Sequence, residues 1–228
     1  MAKIPAGTTY SEACVLPVAF NTAIVGLCGP PGLGLGLPGP KLRPMATGKT
    51  IVIWGASSSI GLMMLQIAKA AGVQTIAIAG SHNFELCLSA GATSAFDYKD
   101  SAVIEQVVRA VKETNDKFIG VIDCISVPDQ SVAQCLSILD GLGGGGLAVV
   151  VPGLGIKASN TVQLAQIFGR DHEFVLPFWE DFLPRALEQG VVRCIPEAFI
   201  AGHGLQALQD GLDNQRNGVS AKKVVVTL

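Results

Sequence analysis

Residues 49–72 read KTIVIWGASSSIGLMMLQIAKAAG. Residues 51–54 are a short apolar, β-branched run that predicts a buried strand. Gly55, Ala56, Ser57, Ser58, Ser59, Ile60 and Gly61 follow as a turn of mostly small residues. Leu62, Leu65, Ile67, Ala68 and Ala71 then recur at helical spacing, and Gly72 supplies a stop. Strand, small-residue turn and helix is the arrangement that holds a dinucleotide pyrophosphate. The first N–H groups of the helix are unpaired and carry a partial positive charge. Small residues let the backbone approach the phosphates. The turn keeps glycine at the first and last positions of a GxGxxG pattern but has Ser57 in the middle. The pattern alone therefore fits either a dinucleotide site or an ordinary strand-to-helix turn.

The alternation continues downstream. Residues 74–79, 94–98, 118–123 and 147–151 read as further strands, and 83–90, 101–114 and 130–139 as helices between them. A last apolar run, KKVVVTL at 222–228, reads as one more strand. Strands separated by helical patterns predict an α/β fold with a doubly wound parallel sheet covered on both faces. Between the fifth and last strands, 161–218 reads as mostly helix and loop, with 193–196 as its single strand candidate. The division expected is a segment 1–45, a dinucleotide-binding core 46–160, and a C-terminal region 161–228.

Ahead of the core, Ser11 predicts an N-cap for an apolar helix over 15–27. Residues 29–40 are all Gly, Pro or Leu, which excludes a regular helix or an inner strand. They read either as a flexible linker or as an apolar flap beside a lipophilic pocket. Residues 46–50 end in GKT, but Arg43 stands where a P-loop needs its first glycine, and the motif precedes the strand instead of following it.

A chain of 228 residues with net charge −2 and no basic run gives no sign of nucleic-acid binding. Charged residues make up only 15%, and the mean hydropathy is +0.46, so part of the surface is expected to be apolar or covered. No uninterrupted apolar run reaches the length of a membrane span, and the first residues do not form a secretory leader. The six cysteines are scattered without a CxxC pair. They predict reduced thiols in a cytoplasmic protein, and no short-spaced Cys/His cluster predicts a metal.

An NAD-preferring site places an acid at the end of the second strand, roughly 20 residues past the glycines, to bind the ribose 2′-OH. Here that strand ends in Ala79, Gly80, Ser81, His82 and Asn83. Polar side chains without a carboxylate suit a 2′-phosphate, so NADP is expected over NAD. Tyr98 and Lys99 stand at the end of the third strand. Asp123 ends the fourth strand, where active sites occur in such sheets, and is read either as catalytic or as a loop cap. His172, His203, Glu180 and Asp181 show no triad spacing and read as surface or capping groups.

GKTIVIWGASSSIG, SHNFELCLSAGATSAFDYKD, VIDCIS and NGVSAKKVVVTL, in this order, resemble the medium-chain dehydrogenase/reductase superfamily. They are most similar to its zinc-free fungal branch, which includes trans-acting enoyl reductases of polyketide pathways. IPAGTTYSEACVLPVAFNTAIVGL is similar to the family's segment just before the cofactor domain. The resemblance implies a Rossmann sheet and, ahead of it, a GroES-like barrel of which this chain holds only a residual segment. It implies a pyrophosphate turn at Gly55, Ser57, Ser58, Ser59 and Ile60, and a 2′-phosphate loop at Ser81, His82 and Asn83. It also implies an adenosine-side aromatic at Tyr98 and cofactor contacts at Cys124, Ile125, Val151 and Pro152. Thr22 matches a threonine near nicotinamide, or else is a helix hydroxyl bonded to a preceding carbonyl.

Three functions follow as expectations. The first is an NADP-dependent reductase of an apolar enoyl or carbonyl substrate, free or carrier-bound, lying along 29–40. The second is a non-redox cyclase or isomerase on the same scaffold. The third is a non-catalytic binding subunit. A homodimer is expected through the last strand or the 1–28 face, because an apolar patch of more than a few hundred Å² is rarely left open.

Overall fold

The computed structural model describes residues 3–168 and 172–228. Six parallel strands form one sheet: β1 Lys49–Trp54, β2 Gln74–Ala79, β3 Ser94–Asp97, β4 Lys117–Asp123, β5 Gly145–Val149 and β6 Val162–Gln166. Their spatial order is β3-β2-β1-β4-β5-β6, the doubly wound order with its reversal between β1 and β4. The pleat explains why the central strand β1 is apolar on both faces. Ile51 and Ile53 face one helical layer, while Val52 and Trp54 face the other. The first layer is α2 Leu16–Cys28, α3 Ser59–Ala70 and α4 Phe84–Ala90. The second is α5 Val103–Glu113 and α6 Ala133–Gly141.

The N-terminal helix begins earlier than Ser11 suggested. A first turn, α1 Tyr10–Ala13, is capped by Thr9, whose Oγ1 accepts from the Glu12 N–H at 3.2 Å while Glu12 Oε2 accepts from the Thr9 N–H at 2.8 Å. Pro17 then opens α2, where a missing N–H is harmless. Taken together, Tyr10–Cys28 spans 19 residues with a mean hydropathy of 1.5, enough for a membrane span by length and composition alone. The run-length reading missed it because Ser11, Glu12 and Asn21 interrupt the apolar pattern. In the fold it is a core helix, with Phe20, Ile24 and Leu27 enclosed against α3.

Three further expectations change. The 29–40 loop is neither a free linker nor a flap. The Leu35 N–H donates to the Gly26 carbonyl at 2.9 Å and Leu37 N–H to Leu27 at 2.8 Å, while Leu37 is buried. The sixth strand of the sheet is β6, so the sheet runs past residue 160. Its alternation (Val162 and Leu164 on one face, Ala165 and Ile167 on the other) was obscured by two glutamines and by the absence of a crossover helix. The run KKVVVTL is β8 Lys222–Thr227, and it pairs in parallel with β7 Glu197–His203 in a separate two-stranded sheet. β7 lies just beyond 193–196, the only strand candidate in that region of the sequence. Between the sheets stand α7 His172–Pro177 and α8 Leu183–Glu188, and α9 Leu208–Asn217 packs on β7 and β8.

The β1–α3 junction is set by backbone proximity. Gly55 has φ +71°, and a Cβ there would meet Ile125 Cγ1 at 2.6 Å. A Cβ at Gly61 would stand 2.4 Å from the Gly55 carbonyl oxygen. Alanine at 61 gains helix propensity of up to about 1 kcal/mol, but backbone overlap opposes it. We expect Gly61→Ala to lose about 1–3 kcal/mol net, lowering Tm by roughly 2–4 °C for each kcal/mol. An unchanged Tm in a calorimetric scan would show that strand and helix can separate without cost.

Candidate dinucleotide cleft

The C-terminal ends of β1 to β4 open onto a cleft of about 830 Å³. β1 delivers Gly55, Ser57 and Ser58 to it, β2 delivers Gly80, His82 and Asn83, β3 is followed by Tyr98, and β4 by Ile125. This is the topological switch point, where open α/β sheets bind ligands. Ser58 caps α3, its Oγ accepting from the Gly61 N–H at 3.0 Å. Ser57, Ser58 and Ser59 also line an adjoining cavity of about 600 Å³, which Lys223 of β8 shares.

The other residues of interest fall elsewhere. Ile60 packs into the core. Ser81 is exposed, and its N–H donates to Asp97 Oδ2 at 3.3 Å. Cys124 is buried, its Sγ 3.5 Å from Met64 Sδ, and burial, then the charge of Asp123, raises its thiol pKa. Val151 and Pro152 are exposed beyond β5 and do not line the cleft. Thr22 also lies outside it, with its hydroxyl donating to the Val18 carbonyl at 2.8 Å. Asp123 is fully buried and caps the loop after β4. Its Oδ1 accepts from the N–H groups of Ile125 and Ser126, both at 2.9 Å, while Oδ2 has no partner among the described residues. Ser126, at φ +59°, completes this clamp by accepting from the Val150 N–H at 3.0 Å. Of the remaining polar groups, Glu180 and Asp181 lie in the turn between α7 and α8, and His203 hydrogen-bonds Thr227. The His172 side chain lies outside the described residues.

Two contributors were missed in the sequence. Asp97 ends β3 directly opposite Ala79 at the end of β2, so an acid does stand beside the Ser81 loop, supplied by the neighbouring strand. Its carboxyl is held below the usual range, first by the Lys99 backbone N–H and then by Ser81. The period-2 pattern of SAFD was its only signal. Ser220 was missed entirely. Residues 218–221 cross the cleft just before β8, and Ser220 Oγ lies 2.9 Å from His82 Nε2 and 3.1 Å from Asn83 Nδ2. No local pattern marks a contact made across 137 positions.

The strand order and the cleft at its reversal define a dinucleotide-binding (Rossmann-type) fold. The sequence profile of the zinc-binding dehydrogenase family matches residues 59–188. The chain is 41% identical over 240 residues to the dehydrogenase orsE of Emericella nidulans, covering 100% of this chain and 68% of that protein. It is 36% identical over 233 residues to the trans-enoyl reductase himH of Aspergillus japonicus, covering 100% and 65%. In structure it is similar to the quinone oxidoreductase of Thermus thermophilus, solved also with NADPH, at a TM-score of 0.68 and 21% identity, covering 99% and 68%. The chain belongs to the zinc-binding dehydrogenase family, within the medium-chain dehydrogenase/reductase superfamily that its motifs resemble. It spans about two thirds of the length of these relatives. Among the described residues no three His, Cys, Asp or Glu side chains converge to hold a metal, so no zinc chemistry is derived for them.

Burial sorts the thiols. It pushes Cys28 up to about 12 and Cys87 up to about 11, and raises Cys135 well above the ordinary value. Cys14 alone is exposed among the described cysteines. A thiol far below its pKa is not nucleophilic. Ellman titration of the native protein at pH 8 should show one fast thiol, and Cys14→Ser should remove it. Two or more fast thiols in the native state would contradict this burial.

Proposed function

We propose that this protein is an NADP-dependent reductase of an apolar enoyl or carbonyl substrate in fungal secondary metabolism. The supporting observation is a cleft at the switch point with a close-packed glycine and serine turn on one side and His82, Asn83 and Ser220 on the other. The turn suits a pyrophosphate, because the α3 N-terminus and the serine hydroxyls provide donors where a Cβ would block approach. His82, Asn83 and Ser220 suit a 2′-phosphate, and Asp97 is already engaged by backbone N–H groups beside Lys99. The names of himH and of the NADPH-bound Thermus protein support the same direction. The bound nicotinamide would supply hydride. The protein's own task is to orient the cofactor and keep water away.

NADPH should bind more tightly than NADH. In Asn83→Asp a carboxylate replaces a donor, and NADPH affinity should fall at least about tenfold, or 1.4 kcal/mol, with NADH changed much less. Isothermal titration decides it, and equal affinities for both cofactors in the unaltered protein would refute the NADP assignment. NADPH oxidation stoichiometric with product separates a reductase from a cyclase or isomerase.

We also propose a homodimer. A two-stranded sheet is marginal alone, and the β7–β8 pair leaves both outer strand edges unpaired among the described residues and exposes Phe199 and Ile200 beside them. Pairing between copies would extend it. Sedimentation at micromolar concentration should give a dimer that Ile200→Lys dissociates, and a monomeric parent protein would exclude it.

A further inference from the structure

We propose that a second large cavity, separate from the dinucleotide cleft, seats an acyl chain whose carbonyl or carboxylate oxygen is held by Asn21. The cavity measures about 640 Å³, within the roughly 300–1,000 Å³ of small-molecule sites. It lies between the N-terminal segment and the α7–α8 region and shares no lining residue with the cleft. Leu16, Pro17, Trp179, Leu183 and Leu187 make its walls. These walls are anchored in the core. Leu16 and Leu183 are buried, and Trp179 packs edge-on against Phe20 with ring centroids 5.1 Å apart. The 29–40 loop, expected to flank an apolar substrate, lines neither space.

Asn21 supplies the polar specificity. An indole N–H can only donate, so the Trp179 N–H to Asn21 Oδ1 hydrogen bond fixes which way the Asn21 amide faces. Nδ2 is thereby left as a donor with no partner among the described residues, on a residue that lines a mostly apolar space whose other polar lining residues are Lys3, Thr8 and Tyr10. A donor in such a place favours a ligand that brings an acceptor and no donor of its own. An acyl group meets that requirement, its oxygen at Asn21 and its chain along the leucines. A nucleotide does not, because phosphates need several converging donors or cations. Lys3, Tyr10 and Cys14 stand at the exposed rim, so Cys14 reports on occupancy.

The inference extends the apolar-substrate reading and is tested without cofactor, so either can fail alone. Dansyl-undecanoic acid, titrated by fluorescence into the full chain, should bind saturably at one per chain and slow alkylation of Cys14 at least tenfold. Asn21→Asp keeps the acceptor for Trp179 and replaces the free donor with a carboxylate oxygen. It should weaken binding at least tenfold. Ala13→Trp fills the space from a half-exposed position and should abolish binding with little change in Tm. Displacement by decanoic acid alone identifies a free acid, and displacement by decanoyl-pantetheine identifies a carrier-linked chain. Absence of saturable binding, no protection of Cys14, unaltered affinity in either variant, or displacement by neither competitor would overturn the proposal.

Discussion

The approach of the Gly61 backbone to the Gly55 carbonyl governs the rest of the molecule. A Cβ at 61 would lie 2.4 Å from that oxygen, so only a hydrogen at this position lets α3 sit so close to the end of β1. That proximity turns nearly every side chain of α3 into core. Leu62 to Ala68 are buried without a break, including Gln66, whose amide bonds to the Leu62 and Arg193 carbonyls and to the Arg193 N–H. α2 and α4 then pack on α3, and the 29–40 loop is sewn to the end of α2. The same junction places Ser57 and the N-cap Ser58 on the cleft. Packing and the candidate phosphate site therefore rest on one contact.

Carboxylates at the strand ends serve as loop clamps. Asp123 holds the N–H groups of residues 125 and 126, which sets Ser126 into a left-handed conformation and ties the β4 loop to Val150. The same loop places Ile125 where a Cβ at Gly55 would stand, 2.6 Å from its Cγ1. Asp97 does a similar task at the end of the edge strand β3, holding Ser81 and Lys99. Neither carboxylate is arranged as a proton donor to the cleft.

The loop between α9 and β8 is one tie between the C-terminal region and the sheet. Ser220 docks on His82 and Asn83, and Lys223 faces the serine turn across a cavity. A ligand bridging turn and loop would therefore meet groups from both units at once.

The sequence by itself determined the β1–α3 unit, the alternation that makes a parallel sheet, and the polar loop after β2. All of these are local: periodicity, small residues in a turn and side chains at strand ends act over a few positions. The interrupted apolar run at 10–28 shows the limit of that logic, because only its packing against α3 distinguishes a core helix from a span. The tertiary structure alone decided that β6 and not KKVVVTL completes the sheet, since pairing partners are set by contacts between distant segments. It alone brought Asp97 beside Ser81, through a register between neighbouring strands, and Ser220 onto His82 from the far end of the chain. It alone formed the open, mostly apolar cavity beside Asn21, whose lining comes from segments more than 150 positions apart. Contacts at such separations leave no periodic trace, because each residue satisfies its own local pattern whether or not its distant partner is present.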